Sequence, residues 1–137
     1  MGIDTIRLLF DAGLFILIWM IQLVVYPSFQ YYKKEDLIKW HKRYTLSLSF
    51  IVIPLIFGQL IVAFMQLLRL QEFETILSLT LVIGVWISTF LQFVPIHNQI
   101  GKNIISDKLL KQLVNKNWLR TFLWTLIFAW SIFMVIN

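Results

Sequence analysis

The sequence predicts an all-α integral membrane protein, with four transmembrane helices in an up-down bundle and short amphipathic helices in the cytoplasmic connections. Three observations predict it. Hydrophobic residues make up 59% of the 137 residues and charged residues only 14%, with a mean hydropathy of +0.79. A soluble domain usually carries about 45–50% apolar and about 25% charged residues, and a fold this small leaves much of its surface exposed, so lipid is the solvent that suits the chain. Four apolar stretches, at about 8–26, 44–68, 73–94 and 118–136, each approach the roughly 20 residues that cross about 30 Å of hydrocarbon. The twelve Lys and Arg residues, finally, are unevenly shared among the connections. One domain, 1–137, accommodates all four stretches.

The first span, Leu8 to Tyr26, is read as a retained helix rather than a cleaved signal peptide. Its n-region is short, with Asp4 beside Arg7, and no small-x-small cleavage site follows. Pro27 is expected to mark its end. Asp11 lies in its first turns, either as a functional acid within the membrane or as a hydrated first-turn acid favoured by the helix dipole.

The connection Ser28 to Arg43 is basic and carries Phe29, Tyr31, Tyr32 and Trp40, residues suited to the headgroup level. Lys34 to Arg43 reads as a surface-lying amphipathic segment, with His41 at its end. The second span, Tyr44 to Leu68, is interrupted by Pro54 and Gly58 and carries Gln59 and Gln66. The short link Arg69 to Glu72 makes spans two and three antiparallel neighbours. Span three, Phe73 to Val94, has Gly84 at mid-depth, where close approach of another helix is expected, and ends at Pro95. Ser106 is a fitting N-cap for a second amphipathic piece, with Leu109, Leu110 and Leu113 on one side and Lys108 and Lys111 on the other. Span four runs from Trp118 to Ile136.

Lys33, Lys34, Lys39, Lys42 and Arg43 lie in the first connection, and Lys102, Lys108, Lys111, Lys116 and Arg120 in the third or at its edge, leaving only Arg7 and Arg69 on the opposite side. The positive-inside bias then places both basic connections in the cytoplasm and both termini outside, in a multi-pass protein of the inner (plasma) membrane. It also accounts for the net charge of +5 and pI near 9.7 without a nucleic-acid partner. The partners expected are the bilayer and a small lipophilic or aromatic ligand; homo-oligomer formation is left open.

This topology gathers polar residues at the cytoplasmic mouth. Gln22 ends span one, His41 precedes span two, Gln92, His97 and Asn98 end span three, and Asn117, Arg120 and Thr121 begin span four. Asn117, Arg120, Thr121 and Trp124 share a face by their spacings of three and four, and Trp124 can stack on a flat ligand or on Arg120. Bundle sites are built in this way from facing helices. Each residue has a plainer reading. Arg120 can snorkel to phosphate headgroups, Trp118 and Trp124 can anchor at the interface, and His41 and His97 can be hydrated loop residues.

Metal and cofactor chemistry are not expected. The chain has no cysteine, and two histidines with no further ligand at close spacing fall short of a zinc site; haem ligation by His41 and His97 is conceivable, though this reading puts both in loops. Neither a phosphate loop nor a Ser-His-acid arrangement is present, and Asp11 falls on the far side of the bilayer from both histidines.

VVYPSF at 24–29, FVPIHNQI at 93–100 and NWLRTFLW at 117–124 resemble the family of small four-helix membrane proteins that includes the fungal anthrone oxygenases. The match lies in Pro27, in Pro95 with Asn98, and in Asn117, Trp118, Arg120 and Thr121. The resemblance implies the four-helix fold and, if the activity follows, oxidation of an electron-rich aromatic ring system by O2. In that chemistry His97 would be the base, Arg120 and Asn98 would stabilise an oxyanion, and Trp118 or Trp124 would pack the rings. Beside ligand binding and oxygenase or oxidoreductase activity stands a third reading, a structural or accessory membrane subunit. A transporter or channel fits less well, because one bundle of four helices offers little room for a pathway.

Overall fold

A computed structural model describes residues 2–137. Four helices, α1 (Ile3–Tyr31), α2 (Lys34–Arg69), α3 (Phe73–Gly101) and α4 (Asp107–Ile136), are each long and apolar enough to cross a membrane. Their connections are short, so successive helices run antiparallel, and α1 packs on both α2 and α4 while α3 closes the bundle between them. The protein is therefore the all-α four-helix bundle that its apolar pattern predicts. One end carries the termini and the α2–α3 link; the other carries the two basic connections and is here called the basic end.

The helices are longer than the sequence suggests. Lys34 to Arg43 is not a separate surface helix but the first turns of α2, and Leu109, Leu110 and Leu113 lie in the first turns of α4. The physical reason is the absence of any breaker at Tyr44 or Trp118. Leu37 in α2 and Leu109, Leu110 and Leu113 in α4 are buried in a cluster with Phe29, Tyr44, Phe93 and Ile100, so the bundle's core continues through these first turns at its basic end. Ser106 caps α4 as expected, its Oγ accepting from the Leu109 N–H at 3.1 Å. Asn103, in the α3–α4 turn, has φ 64°, a left-handed conformation that asparagine tolerates.

The prolines do not end their helices. Proline lacks an N–H and clashes with the carbonyl four residues back. α1 and α3 absorb this in the same way: a π turn precedes Pro27 at Ile21–Val25, and another precedes Pro95 at Thr89–Phe93. In each, the residue just before the proline donates five residues back, Tyr26 to the Ile21 carbonyl and Val94 to the Thr89 carbonyl. Such π turns recur at functional sites. Pro54 lies inside an uninterrupted α2.

The glycine expectation is also corrected. A Cβ on Gly84 would meet nothing within 4 Å, so no helix approaches there. Close approach occurs at Gly58, where a Cβ would collide with the Phe10 ring of α1.

Polar and apolar layers alternate down the bundle. Near the terminal end, Arg7 Nε donates to Asp11 Oδ1 at 3.0 Å, and Arg7 Nη1 donates to Gln66 Oε1 at 3.0 Å and Ser78 Oγ at 2.7 Å. Gln59 Nε2 donates to Asp11 Oδ1 at 2.7 Å, and Ser131 Oγ donates to the other carboxylate oxygen. Asp11 is 0% exposed, so the picture of a hydrated interfacial acid fails: all four helices meet on this ion pair. Leu14, Ile18, Ala63, Val82, Val85, Trp124 and Ile127 form an apolar layer below it. The second polar layer follows at the basic end.

Candidate ligand pocket at the basic end

The spacing Gln22, Asn117, Thr121 brings α1 and α4 together first. Asn117 Nδ2 and Thr121 Oγ1 donate to Gln22 Oε1 at 2.8 and 3.1 Å, and Gln22 Nε2 donates to the Val114 carbonyl at 3.2 Å. All three side chains are buried. Three of the expected ligand-binding residues thus hold one another, and none of them lines the cavity described below.

One turn toward the basic end, Tyr26, His97 and His41 form a chain across α1, α3 and α2. The Tyr26 hydroxyl lies 3.1 Å from His97 Nε2, and His97 Nδ1 lies 2.7 Å from His41 Nε2. The two imidazoles stack with centroids 5.0 Å apart. Both histidines belong to helices and His41 is buried, so the expectation of hydrated loop residues is overturned. The cause is the uninterrupted course of α2 and α3 past Tyr44 and Pro95.

Arg120 sits beside this chain on α4, one turn from Asn117 and Trp124. Its guanidinium carbon lies 4.3 Å from the Phe93 ring centroid and 5.1 Å from that of Trp124, within range of cation–π attraction. The Tyr26 hydroxyl lies beside the guanidinium, Nη1 donates to Asn117 Oδ1 at a long 3.5 Å, and Nε has no partner among the described residues. The side chain is 8% exposed, so it does not snorkel to the headgroups. A buried cation without a carboxylate is expensive, in contrast to Arg7, which has one.

A cavity of about 780 Å³ opens against these groups. Tyr26, His41, His97 and Arg120 line its polar wall, with Lys42 and Lys102 at the rim. Its apolar wall comes from α2 and from the π turn of α3. This volume suits a small organic ligand, since such pockets run about 300–1,000 Å³. A second cavity, about 650 Å³, lies at the terminal end near Asp4, Arg69 and Glu72, and none of the expected site residues lines it.

Not every expected residue joins the pocket. Asn98 is exposed at its rim. Gln92 is half-buried within α3 and meets only Ser88 Oγ, at 3.5 Å. Trp118 is 46% exposed and packs edge-on against Trp19 with centroids 5.9 Å apart, as an interface anchor would. Trp124 is buried against the Arg120 guanidinium and does not line the cavity; its Nε1 is unpartnered. Tyr26, Tyr44, Phe93, Lys42 and Lys102 were not foreseen. Tyr26 carried a signal in its spacing of four from Gln22, which puts both on one helix face.

The chain of three side chains can carry a proton. A neutral imidazole has one donor and one acceptor nitrogen. In one arrangement Tyr26 donates to His97 Nε2, and His97 Nδ1–H donates to His41. In the other His41 donates to His97 Nδ1, and His97 Nε2–H donates to the Tyr26 oxygen, freeing the phenolic hydrogen for a group in the cavity. Passing between the two moves one proton between the pocket and His41. The adjacent guanidinium can hold an oxygen that gains negative charge as the proton leaves.

Among the described residues no three His, Cys, Asp or Glu converge as a metal site. Both His97 nitrogens face protein partners. Comparison with known protein families, curated proteins and solved structures returned no match.

Proposed function

We propose that the protein binds a small lipophilic or aromatic ligand bearing an electron-rich oxygen, at the cytoplasmic mouth of a bundle in the plasma membrane. The observation that carries this reading is Arg120, buried, without a carboxylate, its Nε unpartnered, on the wall of a cavity of about 780 Å³. Unsatisfied buried polar groups are rare, and a ligand oxygen would satisfy this one. The uneven Lys and Arg distribution supports the orientation, with the basic end in the cytoplasm and both termini outside.

The test is native mass spectrometry, with an absorption spectrum, on protein extracted in mild detergent. A stoichiometric adduct in the wild type that is retained in Arg120→Lys and lost in Arg120→Ala supports the pocket. A clean protein in all three overturns it.

A second reading, oxidation of a bound aromatic by O2 as in the anthrone oxygenases, is favoured by the contact between Tyr26, His97 and His41. His97 would take a ring CH2 proton through the Tyr26 hydroxyl, which gives its own proton to His97 Nε2 and receives the ring proton, while Arg120 holds the enolate oxygen. O2 is the oxidant: one oxygen atom becomes the new carbonyl, and the other leaves as water with the two ring hydrogens. Consumption of one O2 per anthrone, lost in His97→Ala, is the expected signature. If bound anthrone consumes no O2, the oxygenase reading is lost and the binding reading stands.

A further inference from the structure

The cavity has a direction. Its polar wall, Arg120 and the histidines, lies at one end together with Lys42 and Lys102. Its other end runs between α2 and α3 along Leu48, Val52 and Ile53, facing Thr89 and Val94. Ile53 is 50% exposed and Val94 is 39% exposed, on helices whose outer faces meet lipid, so this end opens sideways at the depth of the acyl chains. A water-borne ligand needs only the cationic end. An apolar trough continuing from it into the bilayer fits a ligand that never leaves the membrane.

We propose that the ligand is a membrane-borne amphiphile, with a weakly acidic oxygen head (a carboxylate or phenolate) and a hydrocarbon tail. It enters between α2 and α3, its head stopping at Arg120 and its tail lying along Leu48, Val52 and Ile53. This rests on the pocket reading above and adds the class and route of its ligand. Charge complementarity selects the head: one buried guanidinium and two rim lysines face the cavity, and no carboxylate lines it. The lipid-facing trough selects the tail. The Tyr26–His97–His41 chain can accept the proton of an acid arriving neutral from the bilayer, leaving the anion beside Arg120.

The full chain in nanodiscs tests this with three probes at equal bilayer mole fraction: dodecanoic acid, dodecanol and an alkylbenzoic acid of short chain. Dodecanoic acid should bind at least tenfold more tightly than dodecanol in the wild type, and Arg120→Gln should remove that preference. Val52→Trp should weaken dodecanoic acid tenfold or more and leave the short benzoate unchanged, whereas Phe50→Trp, on the exposed face of the same helix, should change neither. A dodecanoic acid carrying a terminal diazirine gives a readout independent of any variant: its adducts should fall within 48–53 or 89–94. Adducts spread over all lipid-facing helices, or equal binding of acid and alcohol, overturn the proposal. Arg120-dependent binding of the short benzoate without any gain from the long tail would discard the amphiphile and leave the pocket reading intact. If none of the probes binds, both are lost.

Discussion

His41 Nε2 lies 2.7 Å from His97 Nδ1, within hydrogen-bond distance, so each fixes the proton position of the other. Replacing His41 by Phe removes one partner and leaves a half-buried His97 nitrogen without it, at a cost of about 1 kcal/mol, the low end for a group left unpaired. Nitrogen-15 spectra of histidine-labelled protein should show the His97 resonances shifting in both His41→Phe and Tyr26→Phe. They should stay in place in Trp118→Phe, which lies outside the pocket. Unchanged His97 resonances in the first two variants would mean that the chain does not form in the membrane.

Arg120 predicts a conflict between stability and binding. Its guanidinium is buried with no carboxylate partner and an unsatisfied Nε. Replacing even a buried ion pair by well-packed apolar side chains is often neutral or stabilising by about 1–4 kcal/mol, and a lone buried charge lacks the attraction of a partner. Arg120→Met should therefore unfold no earlier than the wild type in detergent, while losing its ligand. The loss should be on the order of 10- to 100-fold, from removal of a charged hydrogen bond of about 1.5–3 kcal/mol. A purely structural arginine would give the opposite pattern, with lower stability and unchanged ligand retention, so thermal unfolding and adduct mass on one sample decide between them.

Helix number, topology and the gathering of Gln22, His41, His97, Asn117, Arg120 and Thr121 at one end were legible because apolar length and spacings of three and four determine them. Helix ends were not. A proline reads as a stop, and nothing in the local sequence around Pro27 or Pro95 announces the π turn that absorbs it. Tyr26 was overlooked for the same reason, being taken as a terminus when it lies inside a continuing helix. Arg7 and Asp11 stand at i, i+4 spacing, but in the sequence Arg7 reads as the neighbour of Asp4 and Asp11 as a lone acid; the pair's burial depends on Gln59, Gln66, Ser78 and Ser131 from three other helices, which no local pattern reveals.

That pair predicts its own non-additivity. Asp11 accepts from Arg7, Gln59 and Ser131, and Arg7 is 1% exposed. Asp11→Leu strands the guanidinium and should cost about 3–5 kcal/mol, as should Arg7→Met in stranding the carboxylate. The double variant Arg7→Met/Asp11→Leu removes both charges and should be more stable than either single variant. Reversible unfolding in mixed micelles closes the cycle, and additive losses would show that the two charges do not act as a unit. Because Leu14, Ile18 and Ile127 separate this layer from the pocket, ligand binding at the basic end should persist in every variant that folds.

Gly58 and Gly84 predict opposite signs for the same substitution. A Cβ at position 58 would overlap the Phe10 ring, whereas one at position 84 meets open space. Gly58→Ala should therefore destabilise by about 1–3 kcal/mol, the cost of overpacking a close contact. Pairing it with Phe10→Leu, which withdraws the ring, should recover part of the loss. Gly84→Ala keeps every contact and restricts the unfolded chain, so it should stabilise by about 0.5–1 kcal/mol. Unfolding midpoints of the wild type and these three variants in one detergent are enough to check this. Equal effects at the two glycines would mean that α1 does not pack on α2 at Gly58, and the placement of Asp11 against Gln59, one residue further along α2, would fail with it.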